Sequence, residues 1–256
     1  MRHTLPLRLA ALFALCLVGF AAQARDLVEL SVRDLDNGQM LPLYRHGGDS
    51  HVAGTPGHRY AVTLENRSAE RVLVVLSVDG VNAVTGQNAN PNQSGYVLGP
   101  WQRTEVRGWR KNLSEIAEFV FTDLPDSYAA RTGRPANVGV IGIAVFRERA
   151  PIRHVPSISK EAPAPQASRS ADALAKAAPQ TRQELGTGHG DRRHDPVSRT
   201  DFIRASTRPA QITSLYYDDT RSLIARGIIP AHRPTGRRTP EAFPTGFVAD
   251  PPPRRR

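Results

Sequence analysis

His189, Asp191, His194 and Asp195 put four metal-ligating or acid–base side chains within seven residues. Imidazole and carboxylate are the donors of zinc and hard-metal sites. His189, Asp191 and His194 are therefore the metal candidates of this chain. Arg192 and Arg193 stand between the two histidines, and positive charge beside a cation opposes its binding. Just upstream, Gly186-Thr187-Gly188-His189-Gly190 has the glycine density of loops that cradle phosphate with backbone N–H groups. A nucleotide loop follows a strand and opens a helix. Here Asp191 to Pro196 does not read as a helix, and no Walker lysine follows the glycines. The segment reads as a solvated, flexible turn.

Other groupings offer other chemistry. His46, Asp49, His51 and His58 are loosely spaced in a glycine-rich stretch that equally reads as a connection between strands. Asp79, Asn82, Asn88, Asn90 and Asn92 supply oxygens suited to Ca²⁺. An EF-hand-like loop needs more carboxylates at fixed spacing, and Asp79-Gly80 already reads as a turn pair. No serine sits in a G-x-S-x-G elbow, and no motif implies a cofactor. The binding candidates are Trp101, Arg103, Arg107, Trp109 and Arg110, which place aromatics and cations on one expected hairpin. In strand geometry Arg103, Glu105, Arg107 and Trp109 share a face. Such a face binds glycans or proteins by stacking and cation–π contact. The plainer alternative is that one or both tryptophans fill a core and the arginines snorkel.

The elements that must hold these groups read as β-structure. His58–Asn66 alternates polar and apolar residues, and Arg71–Asp79 is continuously apolar, as in a strand covered on both faces. Further strands are expected near Leu27–Val32, Leu41–Tyr44, Val81–Thr85, Gly95–Leu98, Arg103–Gly108, Ile116–Thr122 and Asn137–Phe146. Asp126-Ser127 caps one helical turn, Tyr128–Arg131, closed by Gly133. Short strands with turns every 8–12 residues point to an antiparallel β-sandwich or jelly roll. Gln211–Tyr217 reads as one later strand, and Asp218 or Asp219 as the cap of a short helix to Arg226, stopped by Gly227.

Composition divides the chain. Residues 1–24 carry a positive start, an apolar run from Leu9 to Ala22 and the small-x-small signal Ala22-Gln23-Ala24, the pattern of a secretory signal peptide. The single cysteine, Cys16, lies inside it, so the mature chain has no thiol or disulfide chemistry. Residues 25–150 balance 14 Lys+Arg against 14 Asp+Glu, whereas 151–256 carry 18 against 10 and 14 of the 21 prolines. The expected order is a β-sandwich domain (25–150), a disordered Ala/Pro-rich linker (151–183), a docking segment with a short strand and helix (184–231) and a disordered basic tail (232–256).

SVDGVNAVTG (77–86), SGYVLGPWQRTEVRGWRK (94–111), DSYAARTGRPANVGVIGIAVF (126–146) and LGTGHG (185–190) together resemble a family of uncharacterised exported proteobacterial proteins. The resemblance implies an exported location and one domain type, and carries no activity. The expected function is that of a non-enzymatic envelope protein, periplasmic or secreted. It binds a protein or an anionic polymer or lipid surface through the β-domain and the basic C-terminal region. Export argues against nucleic acid despite the pI near 10.5. An envelope hydrolase or metal-dependent enzyme using the 185–195 region is the first alternative. A chaperone-like assembly factor with an exposed sheet edge is the second.

Overall fold

The computed structural model describes residues 26–150 and 183–231. The expected signal peptide, the linker up to residue 182 and the basic tail lie outside the described residues. Within them the chain is mainly β, in two multi-stranded sheets arranged as a sandwich. No described helix is long and apolar enough to cross a membrane.

Sheet A contains β1 (Val28–Asp34), β4 (Arg59–Asn66), β8 (Arg103–Val106), β9 (Gly108–Arg110), β10 (Glu115–Asp123) and β12 (Leu185–His194). Its spine runs β1-β4-β10-β12, all antiparallel. β4 and β10 pair only at Tyr60–Phe119 and Arg59–Val120 and then diverge. β8 lines the fork along β4 and β9 lines it along β10. Sheet B contains β2 (Tyr44–His46), β3 (Asp49–Gly54), β5 (Val72–Val78), β6 (Val81–Asn82), β7 (Tyr96–Leu98), β11 (Val140–Arg147) and β13 (Gln211–Asp219). Its order is β2-β3-β13-β11-β5-β6, with β7 also on β5. The β13–β3 pair is parallel.

Side chains alternating inward from both sheets make one core: Val32, Val62, Leu64, Phe119 and Phe121 from sheet A, and Val74, Leu76, Ile143, Leu215 and Tyr217 from sheet B. Each such side chain contributes about 1.5–3 kcal/mol by leaving water. β5 is apolar on both faces because its outward Leu73 and Val75 join Ala144, Phe146, Val97 and Phe202 in a second cluster. The Arg204 guanidinium closes that cluster, 4.2 Å above the Phe146 ring. The outward face of sheet A is instead laced with ion pairs: Arg33–Glu105 at 3.1 Å, Arg107–Glu105 at 3.1 Å and Arg193–Glu118 at 3.2 Å.

The local signals place several elements well. Ser127 caps α1 (Tyr128–Arg131) by accepting from the Ala130 N–H at 3.2 Å, and Gly133 has φ 75°. Asp219 caps α2 (Thr220–Ala225), leaving Asp218 free for a different task. Elsewhere the structure departs from expectation. The supposed turn at Gly186–Gly190 lies within β12, whose first four residues, Leu185 to Gly188, are buried. The connection holding His46 and His51 is a hairpin, β2–β3, turned by Gly47 and Gly48 at φ 60° and 93°, as a two-residue type I′ loop requires.

Candidate functional site

One margin of the sandwich is sealed by carboxylates. The Asp79-Gly80 turn joins β5 to β6, and Asp79 sits there buried at φ 54°. Its Oδ1 accepts from the Tyr217 hydroxyl at 2.6 Å and the Gly139 N–H at 3.0 Å, and its Oδ2 accepts from the Thr187 N–H at 2.8 Å. Thr187 Oγ1 lies 2.6 Å from both the Tyr217 and Tyr60 hydroxyls, so the buried polar groups form one connected network. Asp218, at the end of β13, accepts from the Leu185 N–H at 3.0 Å and pairs with Arg226 at 2.9 Å. Residues 185 and 187 belong to the unpaired edge of β12, so sheet B's aspartates occupy sheet A's edge donors. Burial pushes the Asp79 carboxyl up to about 6, against the downward pull of its hydrogen-bond donors. Burial raises Asp218 as well.

The glycines of β12 belong to this seal. A Cβ at Gly186 would stand 2.6 Å from Ser127 Cβ and 2.7 Å from Val138 Cγ1. One at Gly190 would stand 2.7 Å from Val120 Cγ2. Close strand packing therefore accounts for the glycines without a phosphate.

The expected metal residues do not converge. His189 lies opposite Phe119, its ring 5.7 Å from Tyr128, while Asp191 and His194 are exposed farther along β12. Among the described residues the sole group of three or more ligand-type side chains with donor atoms within 4.8 Å of one another is Asp34, Asp36 and His58. These atoms are already engaged. Asp34 accepts from Asp36 N at 2.9 Å and contacts His58 Nδ1 at 2.7 Å. Asp36 takes the Arg59 side chain at 2.5 and 3.0 Å, and this pairing holds its carboxyl below the usual range. A cation there would compete with a guanidinium. His46 and Asp49 face each other across the exposed β2–β3 turn, while His51 is buried beside Tyr216. Asn82 is spent on its own loop, accepting from Val84 N at 2.7 Å and Thr85 N at 3.0 Å. Asn90 likewise accepts from Asn92 N at 2.8 Å.

The Trp–Arg group is divided. Trp109 is 3% exposed and packs edge-on against Phe119 at 4.8 Å, with Tyr128 at 5.0 Å. It does not share a face with Arg103, Glu105 and Arg107. The chain passes from β8 to β9 at Arg107–Gly108, where Val106 and Trp109, three apart, both point inward and strict alternation is lost. Arg110 is ion-paired with Asp195 and also donates to its backbone oxygen. Arg107 is exposed beside Glu105, and Arg103 is exposed beside Met40.

Trp101 is the exception: it is 65% exposed and has φ 57°. It is the third residue of the turn Gly99-Pro100-Trp101-Gln102, closed by Gln102 N–H to Gly99 O at 3.2 Å. Glycine or asparagine is the ordinary occupant of a left-handed turn position, and an L side chain there costs about 1–2 kcal/mol. Here that position holds the largest side chain and shows it to solvent.

Trp101 stands over a cleft of about 580 Å³ on the other margin of the sandwich. Sheet A supplies Glu29 and Leu30 from β1, and sheet B supplies Arg45, Ser50 and Thr213–Leu215, with Leu43, Asp26 and Arg67 at the mouth. Arg67 is held by Glu29 and by Glu65 at 3.0 Å. At one end the Gln211 side chain bridges the sheets, accepting from Val28 N–H at 2.9 Å and donating to Val28 O at 2.8 Å. The cleft itself was not legible in sequence, because its lining comes from six separate stretches. Comparison with family models, with curated proteins and with solved structures gives no match, so geometry and chemistry carry the functional reading.

Proposed function

We propose that this chain is an exported envelope protein that acts by binding, with the Trp101 cleft as its recognition site and the basic C-terminal region as an electrostatic accessory. The observation that carries the reading is Trp101 itself, an exposed aromatic kept at a backbone conformation that stability alone would give to glycine. Strain of this kind collects where ligands are held, and exposed tryptophan is the side chain most enriched at binding hot spots. The adjoining cleft combines Leu30, Leu43, Leu215 and Trp101 with four charged and three hydroxyl side chains, so it offers both apolar surface and convergent polar groups to a ligand. A net charge of +8 over residues 151–256 adds attraction to anionic surfaces. On the β1 edge beside the cleft, both polar groups of Val28 and the carbonyl of Val32 are already occupied, which disfavours strand addition by a chaperone's client there.

The test is capture from envelope extract at low and high salt, using the chain from residue 25 onward, its Trp101→Ala variant and a form lacking residues 232–256. Capture lost with Trp101→Ala supports the cleft, and salt-sensitive loss on truncation supports the accessory. Full capture by both altered forms, or turnover of an envelope substrate by the purified chain, overturns the reading.

A further inference from the structure

We infer that the Trp101 cleft is a saccharide site, taking a short chain of neutral or N-acetylated hexoses. The inference rests on the reading of this cleft as the recognition site and names its ligand class. A hexose ring has an apolar C–H face and a rim of hydroxyls that both donate and accept. An indole face open to solvent provides the complementary platform, large and apolar, and Leu30 and Leu43 extend it. The charged lining matches the rim. Asp26 and Glu29 are pure acceptors, and Arg45 and Arg67 are pure donors.

The balance of signs selects among ligands. Two carboxylates and two guanidiniums sum to zero, so a polyanion would meet Asp26 and Glu29 and a polycation would meet Arg45 and Arg67. A neutral polyhydroxyl chain uses all four as hydrogen-bond partners. Asp26 and Arg45 are the groups most available, with no side-chain hydrogen bond or ion pair among the described residues. An extended peptide would pair along β1, but the Gln211 amide spans both polar groups of Val28, Leu41 N–H donates to Val32 O, and Asp34 N–H donates to Gln39 O. The volume, about 580 Å³, lies within the roughly 300–1,000 Å³ of ordinary ligand clefts.

The chain's two tryptophans supply the assay. Trp109 is buried and Trp101 is open to water, so a ligand on the cleft shifts emission to the blue and protects against acrylamide through Trp101 alone. The probes are chitotetraose and cellotetraose, with dextran sulfate and an extended alanine–serine peptide as counter-probes. The expected result is a saturable blue shift with at least one tetrasaccharide. Affinity, read for the variants by titration calorimetry because Trp101→Gly lacks the reporting indole, should fall about tenfold or more in Trp101→Gly, which suits the turn, and severalfold in Asp26→Asn and Arg45→Gln, with none of the three melting lower than the parent chain. Saccharide binding that survives Trp101→Gly overturns the inference. So does an unchanged emission with both sugars, or a Trp101-dependent response to dextran sulfate or the peptide only. If the sugars fail while extract capture still depends on Trp101, the saccharide class falls and the binding function stands. If capture is also indifferent to Trp101, both fall.

Discussion

The two margins of this sandwich are built on opposite principles. At one margin Asp79 and Asp218 take up the edge donors of β12, the tyrosine hydroxyls are satisfied, and glycines let neighbouring segments close to contact. At the other, Gln211 bridges the sheets at a single point and leaves a cleft beneath an exposed tryptophan. Each margin contains a residue other than glycine at positive φ, Asp79 at 54° and Trp101 at 57°. Asp79 offsets the strain with three accepted hydrogen bonds and a turn type that favours aspartate. Trp101 has only its backbone N–H, donated to Ser68 O at 3.2 Å, and its side chain makes no hydrogen bond or ring contact among the described residues. Strain that the fold explains is architecture, and strain on a side chain that the fold does not use marks a site.

The largest expected effect separates the two tryptophans. Trp109→Ala empties the space between Phe119 and Tyr128 and should cost about 3–5 kcal/mol of unfolding free energy. Urea denaturation would check this, and a loss below about 1 kcal/mol would mean that the sealed margin is not packed as described.

The next effect is a pH dependence centred on Asp79. Its carboxyl rises from an ordinary 3.8 to about 6 in the fold because of burial. Between those values the folded state holds a proton that the unfolded state has released. Stability therefore falls as pH rises from about 4 to about 6, by about 3 kcal/mol in all, and levels off above. His51 and His189, both lowered by burial, act oppositely as pH falls below their ordinary range. Their contribution cancels when the chain is compared with Asp79→Asn. The difference between the two stability profiles should carry the Asp79 slope alone. Parallel profiles would show that the three donors hold the carboxylate fully ionised.

The smallest effect is the most diagnostic of the contrast. Trp101→Gly relieves the left-handed strain and adds only the entropy cost of glycine, so stability should stay level or rise by about 0.5 kcal/mol. Thermal melting would check it. A clear fall would show that Trp101 serves the fold and would remove the asymmetry between the margins.

Much of the sheet framework was legible because strand signals are local. Arg71–Asp79 shows a run apolar on both faces, and the second cluster over Leu73 and Val75 supplies the cover that such a run demands. Ser127 and Asp219 are legible caps because a short polar side chain satisfies N–H groups two or three residues onward. Leu185–Gly190 is illegible as a strand because glycine carries no side-chain pattern. Its strand character comes from pairing with β10, made more than sixty residues earlier in the chain. Asp34 and Asp36 show as a turn in Asp34-Leu35-Asp36-Asn37-Gly38, but their meeting with His58 and Arg59 does not.

The β class, the positions of many strands and several turns and caps follow from the amino-acid order alone, since each depends on neighbours within a few residues. Which tryptophan is core and which is exposed depends on long-range packing, because a loss of alternation at Arg107–Gly108 turns Trp109 inward and no local rule requires it. Long-range packing likewise sets Asp79 at the sealed margin and Asp26, Arg45 and Trp101 around the other. Those groupings join residues from distant stretches, and only the pairing order of the two sheets brings them together.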